Sequence, residues 1–265
     1  MALELSGYGH RYGYIPNKPD HRDFGMARLT QLAVPLPRKA SNAAYMGSVL
    51  DQGQQGSCTA HTGAADREFL HWKQFAASGR PVAPTAMGLY SPAYLYYMER
   101  VIDESIGKGD CGSSGRSSCQ ALRLYGCALR ADMPYFDSDY MTAPSDKQKE
   151  AASEWPTGGY HFAANVDDMK SIIASGYNCR MGFAVLDSFE KMGSDGIWIP
   201  DGGLLGYHET LIYEYDDDLA GGTFLVRNSW GKDWGKKGDF YLRYQDAADR
   251  NILIDACIQH LGIWA

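Results

Sequence analysis

VLDQGQQGSCTAHTG, residues 49–63, carries a single cysteine, Cys58, set between Gly56-Ser57 and Thr59-Ala60. From Cys58 to about Ala77, Ala60, Ala64, Phe69, Leu70, Trp72, Phe75 and Ala76 recur at near-helical spacing, and Ser78-Gly79 closes the run. The spacing predicts a helix that opens at Cys58. A thiol there meets unpaired backbone N–H groups and the positive end of the helix macrodipole, and both favour the thiolate. Gly53 and Gly56 let the backbone approach closely, and Gln52, six residues upstream, supplies a side-chain amide. The Gln52 amide and the Cys58 N–H together suit an oxyanion hole. On this stretch alone, a nucleophile and a buried apolar residue remain equal readings.

The 265 residues, 45% hydrophobic and 22% charged, suffice for one large domain or two lobes sharing a cleft. A net charge of −7 argues against a nucleic-acid partner, because phosphate neutralisation needs clustered Lys and Arg. No stretch approaches the ~20 apolar residues of a bilayer span. The N-terminal MALELSGYGHRYGYIPNKPDH lacks a basic region followed by an apolar one, which implies a cytoplasmic protein or export without a secretory signal. The six cysteines, Cys58, Cys111, Cys119, Cys127, Cys179 and Cys257, form no C-x-x-C pair and no regular framework. Apart from Cys58 they read as small buried apolar residues. The carboxylates at 216–218 read as a solvated turn rather than a metal site.

The first 35 or so residues are rich in Pro, Arg and Asp and lack sustained periodicity, so they read as an extended arm. Further helices are expected across SPAYLYYMERVI (91–102) and SSCQALRLYG (117–126). Past Trp155 the chain favours strands: MGFAVL, GIWIP, HETLIYEY, TFLVRNSW and DFYLRY. A helical part followed by a strand-rich part suggests an α+β fold with a cleft between two lobes.

A nucleophile needs a base. Of the seven histidines, His61 is the local rival, but its side chain follows the inward face of the same helix and reads as a core or supporting residue. A metal reading of Cys58 with His61 lacks a second ligand pair. His208 follows the turn PDGGLLGY, and Asn228 lies 20 residues beyond it. The Asn228 amide can hold an imidazole in one tautomer while Trp230 shields that hydrogen bond from water.

QGQQGSCTA (52–60), GYHETLIYEY (206–215) and RNSWGKDWGKKGDFYL (227–242) resemble, in order, the three signature blocks of the papain family of cysteine proteases. Weaker blocks, IPNKPDHRDF, SPAYLYY, GSSGRSSCQALRLYGC and MPYF, resemble the prokaryotic-type branch, and the likeness runs from about residue 14 to about residue 245. The resemblance implies a papain-like two-lobed fold, with a helical lobe (about 48–145) and an antiparallel, β-barrel-like lobe (about 146–265) within a catalytic domain at 36–265. Residues 1–35 then match a prosegment in position, lying across or beside the cleft or strapped along one lobe.

By motif position the resemblance makes Cys58 the nucleophile, His208 the base and acid, Asn228 its orienting partner and Gln52 the oxyanion-hole glutamine. It makes Gly112, Ser113 and Ser114 the rim that pairs its backbone with substrate, and sets Glu209 and Trp230 beside the substrate. No metal or organic cofactor is implied. This chain departs from the family at four positions. Thr59 replaces the aromatic after the nucleophile, and Gln55 replaces a cysteine, so the disulfide anchored there cannot form. Tyr207 and Glu209 flank the base, where smaller residues are usual.

The expected activity is an endopeptidase acting through a thioester acyl-enzyme on a protein or peptide substrate. A cognate inhibitor protein and an effector or toxin role are further expectations. Glu209 borders the pocket for the second acyl-side residue. Its carboxylate either stays at the pocket mouth and attracts a basic residue, or folds inward on a partner such as a Tyr hydroxyl, leaving a shallow pocket for Gly. The shallow pocket is the favoured expectation. The alternatives are an acyl or amide transferase on the same Cys-His-Asn site and an inactive protease-like binding module.

Overall fold

A computed structural model describes residues 7, 9–20, 35–83, 88–193 and 195–261. Much of the expected arm, including residues 21–34, lies outside the described residues. The helices are α1 (Cys58–Ala77), α2 (Pro92–Ile102), α3 (Gly115–Tyr125), α4 (Asp146–Ser153), α5 (Val166–Ala174) and α6 (Tyr244–Ala247). The strands are β1 (Lys39–Ser41), β2 (Thr157–Phe162), β3 (Cys179–Leu186), β4 (Ile197–Trp198), β5 (Leu204–Asp216), β6 (Thr223–Arg227), β7 (Asp239–Arg243) and β8 (Leu253–Leu261).

The eight strands form one sheet in the order β2-β8-β3-β5-β6-β7-β4, with β1 added along β5. Pairing is antiparallel except where the two-residue β4 runs parallel to β7. Two separate apolar cores follow. Aromatics of the sheet and its loops, among them Phe183, Phe189, Trp198, Trp234 and Phe240, fill one. Tyr90, Tyr94, Leu95, Leu122 and Met98 fill the other, beneath α1, α2 and α3.

The helical core also takes in Ala152 and, half-buried, Trp155, so it continues past the boundary expected at 145. α4 carries a capping box, Ser145 and Gln148 each satisfying the other's backbone N–H, a signal present in the sequence but easily passed over in an Asp- and Ser-rich stretch.

Nearly every residue of α1 from Cys58 to Trp72 is buried, polar ones included. A helix buried all round loses the single apolar stripe of a surface helix. It lies in the seam between the lobes and packs on both α2 and β5. That seam sets the N-terminus of α1 against the middle of β5.

Candidate active site

His208 lies within β5, opposite Phe183 of β3. Its Nε2–H donates to Asn228 Oδ1 at 2.7 Å. The same oxygen accepts the Ser229 backbone N–H at 2.7 Å, which fixes the amide so that its carbonyl faces the ring. Nε2 is therefore the protonated nitrogen and Nδ1 keeps its lone pair. Nδ1 is buried with no hydrogen-bond partner among the described residues. The Trp230 ring stands over the imidazole at 5.0 Å, tilted by 35°.

Cys58 is fully buried at the first position of α1. Ser57, the residue before it, makes no side-chain cap, because its hydroxyl is turned to His61 and Tyr135. One turn into the helix, Thr62 Oγ1 donates to the Glu209 carbonyl at 3.1 Å, tying α1 to the strand beside His208. The backbone N–H groups of Glu209 and Gly13 both act on the Cys58 thiol. Gln52 is held from three sides: Ser229 Oγ donates to its Oε1 at 2.7 Å, and its Nε2 donates to the carbonyls of Gln55 (2.9 Å) and Arg11 (3.0 Å). His61 binds the Ser57 carbonyl through Nδ1 at 2.9 Å, and burial pushes its pKa down to about 3.

The arm occupies this cleft. Ser113 N–H donates to the Gly13 carbonyl at 3.0 Å, and Ile15 N–H donates to the Ser113 carbonyl at 2.8 Å. Tyr14 N–H reaches the Tyr207 carbonyl at 3.1 Å. A Cβ on Gly13 would sit 2.0 Å from the Gly56 carbonyl oxygen, and one on Gly112 would sit 2.1 Å from the Gly13 oxygen. Both contacts require glycine. Gly112 also stands at φ +76°, outside the comfortable range of other residues. Ser114 caps α3 through its side chain, so the Gly112–Ser114 rim is rigid.

Burial under the arm sets the protonation of the pair. It pushes the Cys58 thiol up, the Glu209 charge adds to this, and the N–H groups of Glu209 and Gly13 oppose it. Burial likewise pushes His208 down to about 4 against the pull of Asn228. In this state the pair is thiol and neutral imidazole.

Glu209 turns inward, but the partner is not a tyrosine hydroxyl. Arg180 Nε and Nη2 both donate to its Oε1, at 2.8 and 2.6 Å, and the two side chains are 1% and 2% exposed. Nη2 also donates to the Thr59 carbonyl at 3.2 Å, so one guanidinium braces the residues that follow Cys58 and His208. The shallow pocket for Gly is not what forms beside this pair. Gly182 of β3 and Gly115 of α3 open a slot there, and the Tyr14 ring fills it.

Sequence reasoning did not single out Arg180, Gly182, Asp255 or the arm residues Arg11 to Tyr14. An arginine and a glycine inside the apolar run CRMGFAVL were the available signals, since each is out of place in a buried strand without a specific reason. Among the described residues no group of three or more His, Cys, Asp or Glu side chains could hold a metal ion. No described helix is long and apolar enough to cross a membrane.

Comparison with known proteins agrees with this geometry. The family profile described as papain family cysteine protease matches residues 95–259, a span that contains His208 and Asn228. An uncharacterized peptidase C1-like protein of Acanthamoeba polyphaga mimivirus is 26% identical, covering 96% of this chain and 88% of its own. Xylellain, a cysteine protease from Xylella fastidiosa, superposes with a TM-score of 0.84 at 26% identity over 99% of both chains. A digestive procathepsin L2 from Tenebrio molitor shares the fold, with a TM-score of 0.74 at 18% identity over 96% of this chain and 79% of its own.

Proposed function

The chain belongs to the papain family of cysteine proteases, and from that premise we propose that it is an endopeptidase whose cleft its own N-terminal arm holds closed. Cys58 as thiolate attacks the scissile carbonyl, and the oxyanion forms between Gln52 Nε2 and the Cys58 N–H. His208, with Nε2 fixed on Asn228, takes the thiol proton at Nδ1, gives it to the leaving amine, and then activates the deacylating water. No cofactor enters.

One observation carries the restrained cleft: the Arg11 carbonyl accepts from Gln52 Nε2, where a substrate's oxyanion would be held. The arm runs through the cleft in the wrong direction for cleavage. Tyr14 faces Ser113 in a parallel bridge, and the residue at Gln52 comes three positions before it. A substrate needs the reverse order, with its scissile carbonyl after the residue lodged in the pocket. The arm therefore excludes substrate and water without presenting its own bond to Cys58. A protease restrained in this way suits work among proteins it must spare, which supports the reading of a narrowly acting enzyme.

Gly13→Ala tests the latch, because the added Cβ has nowhere to go beside Gly56. Alkylation of Cys58 by iodoacetamide should quicken about tenfold or more, corresponding to arm docking weakened by ~1.4 kcal/mol. Cleavage of an unselective protein such as casein should rise with it and vanish in Cys58→Ala/Gly13→Ala. Unchanged alkylation in a folded Gly13→Ala protein refutes the latch. Fast alkylation without any cleavage refutes the peptidase.

A further inference from the structure

We propose that this protease selects tyrosine at the second acyl-side position, and that Asp255 is the residue that reads the phenol. The proposal rests on the peptidase reading above. Its physical basis is a row of three residues crossing the sheet. In register, Glu209 of β5, Gly182 of β3 and Asp255 of β8 stand side by side.

The middle residue has no side chain, and the ring of Tyr14 occupies the gap. A Cβ on Gly182 would lie 2.2 Å from Tyr14 Cζ and 2.4 Å from Cε1, far inside contact distance. On the α3 side the wall is also a glycine: a Cβ on Gly115 would lie 3.6 Å from Tyr14 Cε2 and 2.8 Å from Glu209 Oε2. Two bare walls make a flat slot for a planar ring. An aliphatic branch would leave part of it empty.

The polar end is as specific as the walls. Tyr14 Oη donates to Asp255 Oδ2 at 2.6 Å, the short distance of a charge-assisted bond. Burial raises the Tyr14 phenol well above its usual pKa, and Asp255 raises it further, so the hydroxyl remains a donor. Glu209 Oε1 holds Arg180, and its Oε2 lies along the Gly115 wall rather than at the slot's end, where the Tyr14 hydroxyl meets Asp255. A substrate tyrosine reproduces the bond. Phenylalanine leaves the half-buried carboxylate without the phenol donor, and a site built to bond a hydroxyl discriminates against its absence.

The arm residue in the slot is the one that faces Ser113, on the rim that pairs with substrate. Its ring thus marks where a substrate side chain goes, although the arm's backbone runs the opposite way. The arm competes for the cleft with the side chain the cleft prefers.

Two measurements on the full chain test this. First, Tyr14→Ala empties the slot. The free phenol p-cresol should then raise its melting temperature, whereas toluene should raise it much less, and Gly182→Val placed on Tyr14→Ala should abolish the p-cresol effect. Second, with the same Tyr14→Ala protein, peptides matched except at the second acyl-side residue should be cut with kcat/KM about ten- to a hundredfold higher for Tyr than for Phe. Asp255→Leu should bring that ratio near one by raising Phe and lowering Tyr, which a general loss of folding cannot do. Equal melting shifts from p-cresol and toluene, or peptides with Lys, Leu or Phe cut as well as Tyr, overturn the proposal. If no peptide is cut even when Gly13→Ala is added to open the latch, the peptidase reading fails, while the p-cresol measurement still decides whether the slot reads a phenol.

Discussion

Glu209→Ala should be among the most destabilising single substitutions in this chain, at about 3–5 kcal/mol, because it strands a buried guanidinium. Arg180 is 1% exposed and gives two of its donors to one Glu209 oxygen, so the loss leaves two charged donors without their carboxylate in the interior. Domains of this kind are stable by only ~5–15 kcal/mol in total, so the loss would consume a large share. Two more buried carboxyls lie within electrostatic reach. Burial pushes Asp66 up to about 7 and Glu99 up to about 8, with Arg180 pulling both down and Glu209 pushing both up. Removing Glu209 lets them ionise more readily, so the cost should be full near pH 6 and smaller near pH 8.5. Urea denaturation in a Cys58→Ala background, which cannot digest itself, measures this. Replacing both partners, as Arg180→Met/Glu209→Leu, should recover most of the stability, since an apolar pair of similar volume avoids desolvating two charges. A Glu209→Ala cost below about 1 kcal/mol at pH 6, or a double variant no better than the single, would refute the reasoning.

Asn228→Ala should lower kcat by about a hundredfold with KM little changed, because the residue fixes the His208 tautomer and touches no substrate, and steady-state kinetics on Gly13→Ala protein read the split. Above about pH 7.5, stability should fall as pH rises. There Glu99, with a folded pKa of about 8, keeps part of its proton when folded but is ionised when unfolded, which gives a slope of at most about 1.4 kcal/mol per pH unit, and Asp66, at about 7, adds a smaller part. The buried histidines, with folded pKa values depressed, add stability as pH rises through 6.5, and that contribution is nearly complete by about pH 7.5. Glu99→Gln should flatten the slope in urea titrations, and an unchanged slope would assign it elsewhere. Gly112→Ala should loosen the arm and also weaken substrate binding, since the same bare backbone meets both; a KM no higher than that of Gly13→Ala would show that substrate does not use the rim.

The candidate catalytic residues were legible because each sits in a local pattern: Cys58 at a helix start behind two glycines, and His208 and Asn228 in blocks rich in Gly and Trp. What escaped was everything defined by register between distant strands. Asp255 reads as an ordinary polar residue until β8 pairs with β3 and sets it beside Gly182. Glu209 turns inward, as the favoured expectation had it, and Arg180, two residues before Gly182 on the same strand, meets it there. That an inward Glu209 needs a partner follows from the expense of burying a lone carboxylate. The identity of its partner does not, because a Tyr hydroxyl and an arginine are equally good on paper and only the pairing of strands chooses between them. β2 and β8 were missed for a related reason. Their half-buried faces carry Gly, His and Gln among the apolar residues, which blurs the alternation that marks a strand.

The neutral state of Cys58 and His208 under the arm follows from the same physics that makes the open site reactive. A thiolate–imidazolium pair needs its two charges solvated or stabilised by fixed dipoles. The helix start, the two N–H groups at the sulfur and the Asn228 oxygen are all in place, and each favours the charged form. Burial alone outweighs them, and residues 11–15 pack over this site, with Gly13 against Gly56 and the Arg11 carbonyl on Gln52. When the arm leaves, the Gly13 N–H goes with it and water returns to the sulfur and to Nδ1, while the helix start, the Glu209 N–H and the Asn228 oxygen stay where they are. The thiol pKa then falls and the imidazole pKa rises, in the directions that allow proton transfer between them. Occlusion and chemical silencing are thus one event, and the arm needs no group of its own acting on Cys58 beyond a glycine that fits.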